Sequence, residues 1–510
     1  MENPFAEGEN RVIRPPSTAV VIFGATGDLT MRKLLPALYN LACDEYMPST
    51  FVIVGAARSK LSDDEFRKSM YESVKKFSRR PIDEKFWAEF SKNIFYQSVD
   101  GSQQKDFVAL SERLHELSKQ KGENLNFLYY LSVSPSNFGS IASNLKAVGL
   151  VEEPGKGLRQ TALIIEKPFG RDTKTARELN STLQQSFAEE QIFRIDHYLG
   201  KETVQNILVL RFANGIFEPL WNHKYVDHIQ ISVCESLGLG ARAGYFDTSG
   251  MMRDMVQNHV LQMLSLLCIE PPISLSDADS IRDEKVKVLR SVKRIAVSEV
   301  AQNTVRARYK KGFIDGVEVP GYLEEKDVPP GSMTETFVAM KLEIDNWRWA
   351  GVPIYIRNGK RLPRRVTELT VHFKKAPGSL FRGRQVMDLE QNSLVIQVQP
   401  DESISFRINS KPPGPRLRVR SVNMDFEYTD SFGVASAEAY ERLILDAMKG
   451  DATLFIRDDE VEEAWNLLAP VFEAWSSKDG PPLYEYEAGT WGPSAAAGLL
   501  RPGGHRWRRL

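Results

Sequence analysis

The 510-residue chain is too long to fold around one ordinary hydrophobic core, so its length predicts at least two domains. A formal net charge of −1 offers no long-range attraction to nucleic acid or to an anionic membrane surface, and neither partner is expected. The three cysteines are far apart and form no C-x-x-C pair, which argues against a disulfide framework and a zinc site.

Further features of the sequence favour a cytoplasmic protein. Residues 1–17 are polar and lack both the apolar run of a secretory signal and the acid-poor character of a transit peptide, so we expect a flexible N-terminal segment. No stretch approaches eighteen uninterrupted apolar residues, which predicts no transmembrane helix. The cysteine usage fits a reducing compartment, and no bound metal is expected.

The first part of the chain alternates buried apolar runs with helical patterns, an order typical of an α/β fold with a doubly wound parallel sheet. A Rossmann-like dinucleotide-binding domain is therefore predicted over residues 18–196. Its strands are predicted over residues 19–23, 51–55, 127–133 and 162–165, with helical patterns that end at residue 41 and that cover 61–77.

The second part predicts an α+β architecture, a large β+α domain over residues 197–510 built on a mainly antiparallel sheet. The last segment, Arg501–Leu510, is rich in glycine and arginine and is expected to fray as a solvated tail. Strands are predicted over residues 226–233, 336–344, 353–357, 368–373, 393–398 and 403–408, and helices over 251–267, 436–448 and 458–475.

A glycine-containing turn follows the first predicted strand directly and opens the first helix. Glycine lets the backbone approach a pyrophosphate closely, and the start of the helix offers free N–H groups to the phosphates. This G-x-x-G spacing is less specific than G-x-G-x-x-G, and many turns between a strand and a helix contain it. The residues of the turn are Gly24-Ala25-Thr26-Gly27-Asp28-Leu29.

The residues after the second predicted strand bear on the choice of dinucleotide. Arg58 and Lys60 stand there, where an acidic residue would bind a ribose 2′-hydroxyl. A guanidinium and an ammonium instead suit a 2′-phosphate through charge-assisted hydrogen bonds. The sequence therefore favours NADP, with NAD as the weaker alternative, although an ordinary solvated Arg58 is a competing interpretation.

The segment from Arg194 to Glu202 places a carboxylate, an imidazole, a phenol and an ammonium within a few positions. If the segment is helical from about His197, then His197 and Lys201 share one face and suit a phosphate dianion. Asp196 is then free to orient another group. A surface helix that carries these charges for solubility is the alternative.

Motifs spread along the chain are Gly24 to Leu29, Glu166-Lys167-Pro168-Phe169-Gly170, Arg194 to Glu202, Gly244 to Asp247, Arg253 to His259, Ile281 to Lys285, Asn346 to Pro353 and Gly359-Lys360. Together they resemble the glucose-6-phosphate dehydrogenase family over about residues 18–493. The resemblance implies oxidation of D-glucose 6-phosphate at C1 to 6-phospho-D-glucono-1,5-lactone with hydride transfer to NADP, in the oxidative pentose phosphate pathway. It also implies pairing through the sheet into a homodimer or homotetramer.

The resemblance implies a catalytic pair. His259 matches the base that takes the C1 hydroxyl proton, and neutral imidazole is plentiful near pH 7. Asp196 matches the carboxylate that fixes the imidazole tautomer. Asp254 is the rival partner, but five residues of helix are expected to turn it well away from His259. The resemblance assigns Asp254 instead, with Glu235, to the sugar hydroxyls.

The resemblance also marks residues that bind substrate and cofactor. Lys167 matches a lysine between sugar and cofactor, and its bond to Pro168 is a candidate cis peptide. Lys33 is a weaker candidate for positioning both ligands, and for each lysine a solvated surface charge is the alternative. The phosphate pocket is matched by His197, Tyr198 and Lys201, and further substrate-binding positions are matched by Lys360 and, less specifically, Arg365.

The chain departs from the family pattern at a second NADP site. Some eukaryotic members bind a structural NADP on the β+α domain with an arginine and a tyrosine, where this chain has Gln397 and Ser405. A later Gly-Ser-Arg-Gly-Pro is here Gly489 to Pro493, with Trp491 in place of the arginine. We therefore predict no structural NADP.

Two other functions compete with this interpretation. Sugar oxidoreductases of another class combine a Rossmann domain with a sheet and carry Glu-Lys-Pro, but they lack the segment from Asp196 to Lys201. A non-enzymatic relative could act as a redox-responsive binding or scaffold protein, and it would be expected to have lost the base or the phosphate lysine. His259 and Lys201 are both present, which favours an enzyme.

Overall fold

The structure, a computed structural model, describes residues 14–377, 389–415, 418–427 and 437–510. Residues 1–13 of the predicted flexible segment and residue 436, where one helix was expected to begin, lie outside the described residues. Two sheets organise the described chain, a mainly parallel sheet followed by a larger, mainly antiparallel one. The predicted fold class is therefore confirmed.

The strands of the first sheet are β1 (Thr18–Phe23), β2 (Phe51–Ala57), β3 (Ile94–Ser98), β4 (Asn126–Leu131), β5 (Thr161–Ile165), β6 (Ile192–Ile195) and β17 (Phe455–Ile456). Their spatial order is β17-β6-β5-β4-β1-β2-β3. All of β1 is buried, as a continuous apolar run predicts for a strand covered on both faces. The chain runs outward from β1 to β3 and resumes at β4 on the other side of β1. The carboxyl ends of β1 and β4 therefore flank a topological switch point, where ligands bind in such sheets.

The four strands predicted for this sheet are confirmed, with ends shifted by one or two residues. β3 and β6 were not predicted, because β3 is only partly buried and β6 is four residues long with an arginine inside it. β17 comes from far along the chain and pairs antiparallel with β6. The helices of this part are a π-helical turn (Thr30–Leu34), α1 (Leu35–Cys43), α2 (Asp63–Phe77), α3 (Glu84–Phe90), α4 (Gln104–Lys121), α5 (Phe138–Ala147) and α6 (Thr173–Gln184).

The second sheet is formed by β7 (Val226–Cys234), β8 (Thr304–Lys310), β11 (Phe337–Glu343), β12 (Pro353–Gly359), β13 (Val366–Phe373), β14 (Ser393–Gln399), β15 (Ser403–Ser410), β16 (Arg420–Glu427) and β18 (Leu483–Glu487). Their order is β16-β15-β14-β13-β7-β12-β11-β8-β18, and only the pairs β7/β12 and β8/β18 among these described strands are parallel. A small hairpin, β9 (Gly312–Ile314) and β10 (Val317–Val319), lies beside it. The six predicted strands are confirmed, whereas β8, β16 and β18 were not predicted.

Helices cover the apolar face of this second sheet. Ile229, Ile231 and Val233 alternate along β7 and are fully buried, beside Ile354 and Ile356 of β12. The helices of this part of the chain are α7 (Glu202–Phe212), α8 (Ala243–Asp247), a π-helix (Met252–Val260), α9 (Leu261–Cys268), α10 (Ala278–Ser291), α11 (Val300–Asn303), α12 (Ala439–Lys449), α13 (Asp458–Ser476) and α14 (Ala495–Gly498). Of these, α12 packs on α1 of the first part. Within the described ranges, no helix has the length and apolarity needed to cross a bilayer.

The C-terminal tail lies across the polar face of the second sheet, so the prediction that it frays in solvent is wrong. The His505 ring stacks on His228 of β7 with centroids 4.0 Å apart, and His505 Nε2 lies 3.1 Å from Asp227 Oδ2. The backbone N–H of Arg508 donates to the Gln230 side-chain oxygen over 2.9 Å. These polar side chains of β7 are buried by the tail and find hydrogen-bond partners in it, which a composition rich in arginine and glycine does not reveal.

We predict that deletion of residues 505–510 destabilises the second sheet. The truncated chain should unfold at an apparent temperature lower by roughly 1–3 °C, as a loss of about 1.5 kcal/mol of hydrogen bonds and packing would give for a chain of this length. Thermal unfolding followed by circular dichroism measures this difference. An unchanged melting temperature would show that the tail is not docked in solution.

The stabilisation by the tail should also depend on pH. Burial and His228 lower the pKa of His505, and burial lowers the pKa of the neighbouring His372 to about 3. At pH values above about 6.5 both imidazoles are neutral whether the tail is docked or free. At lower pH, His505 and His372 bind protons when the tail is free but not when it is docked. Docking of the tail therefore weakens as the pH falls. The difference in melting temperature between the full and truncated chains should therefore be smaller at about pH 5.5 than at about pH 7.5. An equal difference at both pH values would contradict this.

Candidate active site

The glycine turn after β1 has the backbone geometry that the sequence predicts for a phosphate-binding loop. Gly24 adopts φ +80°, and a Cβ there would stand 2.1 Å from the carbonyl oxygen of Ser132, which follows β4. The N–H of Gly27 donates to the Gly24 carbonyl over 2.9 Å, and the Thr30 hydroxyl donates to the same oxygen over 3.1 Å. The turn therefore sits at the switch point between β1 and β4, with helical residues directly after it.

Two basic residues predicted to bind cofactor lie near this turn in different settings. Arg58 follows β2 directly and is exposed, and β2 pairs with β1 so that Ala56 lies opposite Phe23. Lys33 belongs to the π-helical turn and forms an ion pair with Glu438. Arg58 thus stands exposed at the end of the strand beside the turn, whereas Lys33 links the first part of the chain to the segment before α12.

The catalytic pair implied by the sequence is in direct contact. His259 Nδ1 lies 2.5 Å from Asp196 Oδ1, and both side chains are about 1% exposed. Asp196 follows β6 of the first sheet, and His259 lies on the π-helix that packs against β12 of the second sheet. Asp196 Oδ1 also accepts the backbone N–H of Tyr198 over 2.9 Å. The contact therefore joins the two sheets at one buried hydrogen bond.

Residues 197–200 form a turn rather than the first turn of a helix, so the condition under which His197 and Lys201 would share a helical face is not met. The helix α7 begins at Glu202, with Lys201 at its N-cap. The side chain of Asp196 accepts a hydrogen bond from the backbone of Tyr198, and this competes with helix formation at that point. His197 and Tyr198 approach His259 from this turn, with ring centroids 4.6 Å and 4.4 Å from the His259 ring.

The prediction that Asp254 points well away from His259 is also wrong, because the helix between them is a π-helix. A π-helix forms i→i+5 hydrogen bonds, which brings residues five apart onto one face. Lys167 Nζ contacts both residues, at 3.2 Å from Asp254 Oδ1 and 3.1 Å from His259 Nε2. It also donates to the Asp254 carbonyl oxygen over 2.9 Å. The sequence pattern alone predicts an ordinary helix and so cannot show this.

The charges around His259 keep its ring neutral and its partner ionised. Burial lowers the pKa of His259, the Lys167 ammonium lowers it further, and the Asp196 carboxylate opposes them. Burial alone would raise the pKa of Asp196, but the contact with His259 outweighs it and lowers that pKa to about 2. A carboxylate accepts at Nδ1 and an ammonium donates at Nε2, which defines the neutral Nδ1–H tautomer. Nε2 therefore carries the lone pair that a general base needs.

Polar and basic groups gather on one side of this pair. Tyr198 Oη accepts from Gln399 Nε2 over 3.0 Å, and the Gln399 side-chain oxygen accepts from Arg365 over 2.7 Å. Lys201 Nζ lies 6.0 Å from the centroid of the Tyr198 ring. Burial lowers the pKa of Lys201, while the nearby Glu402 carboxylate raises it. The predicted residues Tyr198, Lys201 and Arg365 are thus close together, as a phosphate pocket requires.

A second polar group lies at the carboxyl end of β7. Glu235 follows this strand and pairs with Lys360, which follows the neighbouring β12. Lys360 lowers the pKa of Asp254, as does Lys167, although burial raises it. The side chains of Asp254, Glu235, Lys360 and Lys167 thus form a set of alternating charges near His259 that can accept from and donate to several hydroxyls.

A parallel sheet with a glycine turn at its switch point, next to a buried imidazole–carboxylate pair, is typical of a nicotinamide-dependent dehydrogenase that acts on an alcohol. Sequence comparison narrows this class. The family profile "Glucose-6-phosphate dehydrogenase, NAD binding domain" matches residues 21–206, and "Glucose-6-phosphate dehydrogenase, C-terminal domain" matches residues 208–508. The chain belongs to the glucose-6-phosphate dehydrogenase family.

Individual relatives are similar over nearly their whole length. The chain is 47% identical over 497 residues to a glucose-6-phosphate 1-dehydrogenase of Aggregatibacter actinomycetemcomitans, covering 98% of each chain. It is 46% identical to the one of Treponema pallidum, covering 96% of this chain and 94% of that protein. A solved glucose-6-phosphate dehydrogenase in complex with glucose 6-phosphate superposes with a TM-score of 0.87 at 35% identity, over 97% of this chain and 99% of that one. These similarities confirm the family resemblance of the motifs.

Sequence reasoning missed two residues that the structure brings to the site. Gln399 bridges Tyr198 and Arg365, and Glu166 accepts from Tyr130 Oη over 2.6 Å directly before Lys167. The signal for Gln399 was its place at the carboxyl end of a predicted strand, directly before a proline. The Lys167–Pro168 and Gln399–Pro400 bonds are both cis.

We predict that Gly24→Ala abolishes tight dinucleotide binding. The added Cβ would meet the Ser132 carbonyl oxygen and would stand at positive φ, so the turn must change shape. NADPH affinity, measured by fluorescence titration, should fall at least roughly 10-fold, equivalent to about 1.4 kcal/mol. Gly122→Ala is the matched control, because Gly122 has φ +70° and nothing within 4 Å of the added Cβ. Equal affinities of the two variants would contradict the role of the turn.

Proposed function

We propose that this protein oxidises D-glucose 6-phosphate at C1 to 6-phospho-D-glucono-1,5-lactone with NADP as the oxidant, the first step of the oxidative pentose phosphate pathway. The observation that carries the proposal is the buried Asp196–His259 contact, with the His259 Nε2 lone pair directed toward Lys167. Polar groups suited to a phosphate surround Tyr198, whose ring stacks on His259, and groups suited to hydroxyls include the Glu235–Lys360 pair. Family membership supports the same reaction.

His259 acts as the base in this reaction. Its Nε2 takes the proton of the C1 hydroxyl, while Asp196 holds Nδ1–H and stabilises the imidazolium that forms. NADP, when bound, accepts the hydride that leaves C1. The Lys167 ammonium must move away from Nε2 so that the C1 hydroxyl of the substrate can bind there. The ammonium can then donate to nearby oxygen atoms.

The phosphate of the substrate binds to the group around Tyr198. His197, Tyr198 and Lys201 follow one another along the turn before α7, and Arg365 reaches the same place through Gln399. Burial lowers the pKa of His197 well below its ordinary value, so His197 binds as a neutral donor. The sugar hydroxyls bind to Asp254, Glu235, Lys360 and Lys167.

The residues around the glycine turn fit a dinucleotide. The space that a Cβ would fill at Gly24 lets the backbone approach a pyrophosphate, and helical residues follow at Asp28 and Leu29. We propose that the turn from Gly24 to Leu29 holds the pyrophosphate and that Arg58 holds the 2′-phosphate, with NAD as the weaker cofactor. Lys33, paired with Glu438, helps to hold the two parts of the chain around the ligands.

The assembly and location of the protein are part of the proposal. We propose a homodimer or homotetramer, as the family resemblance implies, a cytoplasmic location, as the sequence features favour, and a domain boundary near Asp196. The outer strands β15 and β16 of the second sheet carry partly exposed residues, and this supports pairing through the sheet. Since the tail covers the central strands β7, β12 and β13, the outer strands are the part of this sheet left to a partner.

Two substitutions test the assignment of base and phosphate residues. We predict that His259→Asn lowers kcat by roughly 10²- to 10⁴-fold with little change in the KM for glucose 6-phosphate, because only proton transfer is lost. Lys201→Ala should chiefly raise KM, because it weakens ground-state binding of the phosphate. Initial-rate measurements of NADPH formation distinguish the two effects.

Normal turnover in His259→Asn would contradict the base assignment. An unchanged KM in Lys201→Ala would contradict the phosphate pocket. If the wild-type protein formed no NADPH from any hexose phosphate, the proposed reaction itself would be wrong, and a binding or scaffold role would be the remaining interpretation.

A further inference from the structure

The loop that carries Lys167 is held by contacts at several of its residues. At its start, Glu166 is partly buried and accepts from Tyr130 Oη. At its end, the carbonyl oxygen of Arg171 accepts from Arg253 Nε over 3.1 Å. Gly170, with φ +78°, packs so closely on α6 that a Cβ would stand 2.5 Å from a backbone nitrogen. The position of the Lys167 ammonium is therefore set by the groups that hold this loop.

One of those groups comes from α13, far along the chain. The indole N–H of Trp465 donates to the carbonyl oxygen of Phe169 over 2.9 Å, two residues after Lys167. Trp465 is 2% exposed and Phe169 is 3% exposed, so water cannot replace this donor without a cavity. No role in the proposed reaction accounts for Trp465, which contacts neither Asp196 nor His259 through a hydrogen bond.

The same helix also supports the other side of the Lys167–His259 contact. Glu460 of α13 accepts from Gln262, three residues after His259, and forms a buried ion pair of 2.7 Å with Lys285. Further along α13, the Phe472 ring lies 4.0 Å from the guanidinium of Arg253, which itself holds the loop. The helix α13 thus braces both the loop and the helices that carry His259.

We propose that Trp465 is a positioning residue that fixes how closely the Lys167 ammonium approaches Nε2 of His259. This inference rests on the proposed function of His259 as the base. Without the indole donor, the Phe169 carbonyl must find another partner or move, and the loop can then shift away from the π-helix. The repulsion between the ammonium and a protonated His259 would weaken as the distance grows.

The consequence is a change in the pH dependence of the reaction. The kcat/KM of a base-catalysed step falls on the acid side as the free enzyme's base is protonated. Since Lys167 lowers the pKa of His259, a retreat of Lys167 by about 1 Å should raise that pKa by roughly one unit. The acid limb should then move to higher pH. A substitution that only loosened α13 would lower the thermal stability of the protein and leave the acid limb at its wild-type pH.

The experiment compares Trp465→Phe with Trp475→Phe. Both substitutions remove a buried indole donor from α13, but Trp475 donates to Thr304 at the start of β8 and not to the loop. We expect both variants to lose similar thermal stability. Only Trp465→Phe should lose roughly 10- to 100-fold in kcat/KM and move its acid limb upward by about one pH unit.

A further variant tests whether Trp465 changes the pH dependence through the position of Lys167. Lys167→Met should itself raise the acid limb, and Trp465→Phe should add no further shift in that background. If Trp465→Phe does not fold, Arg253→Lys weakens the hold on the same loop at Arg171 and should shift the acid limb in the same direction.

The results of these measurements decide whether Trp465 positions Lys167 or is a structural residue. An unchanged acid limb in Trp465→Phe, or the same shift in Trp475→Phe, would overturn the inference and leave Trp465 a structural residue. If Trp465→Phe shifted the acid limb as far in the Lys167→Met background as it does alone, the inference would also be overturned. If the wild-type protein itself shows no acid limb attributable to His259, the proposed function fails, and that failure is visible before any variant is examined.

Discussion

The hydrogen bond between Asp196 and His259 is the constraint on which the rest of the structure depends. It joins the end of a strand in the parallel sheet to a helix over the antiparallel sheet, and it pairs a buried carboxylate whose other hydrogen bond comes from the Tyr198 backbone. An unpaired buried carboxylate would cost several kcal/mol, so the two parts of the chain are held in one arrangement at the point where substrate binds. Because the same contact fixes the imidazole tautomer, structural and chemical roles coincide in one pair.

The π-helix explains how three charged groups converge on one imidazole. An ordinary helix repeats every 3.6 residues and would direct Asp254 and His259 to different faces. The wider π-helical turn lets Lys167 contact both, so that Asp254 neutralises the ammonium that opposes protonation of His259. The balance of Asp196, Lys167 and Asp254 then sets the pKa of the base, and α13 sets the distances that decide this balance.

The sequence predicted the fold class and ten strands, because continuous apolar runs carry that information locally, and the motifs that resemble the family predicted the contact between Asp196 and His259. It failed where a distant contact overrides the local pattern. The turn at His197 forms because the Asp196 side chain bonds the Tyr198 backbone, and the tail is ordered because β7 presents Gln230 and His228 to it. The composition of the turn and of the tail does not reveal these hydrogen-bond partners. The roles of the individual site residues, beyond their proximity, remain predictions.

The most direct test of this account is the protonation state of His259, measured by 15N NMR of the protein labelled at its seven histidines. Comparison with His259→Asn identifies the resonances of that ring. We expect a neutral ring at pH 7 with the proton on Nδ1 and an unprotonated Nε2, and we expect the Asp196→Asn variant to lose this single tautomer. A ring protonated on Nε2, or doubly protonated at pH 7, would contradict this expectation, because such a ring has no lone pair to accept the substrate proton.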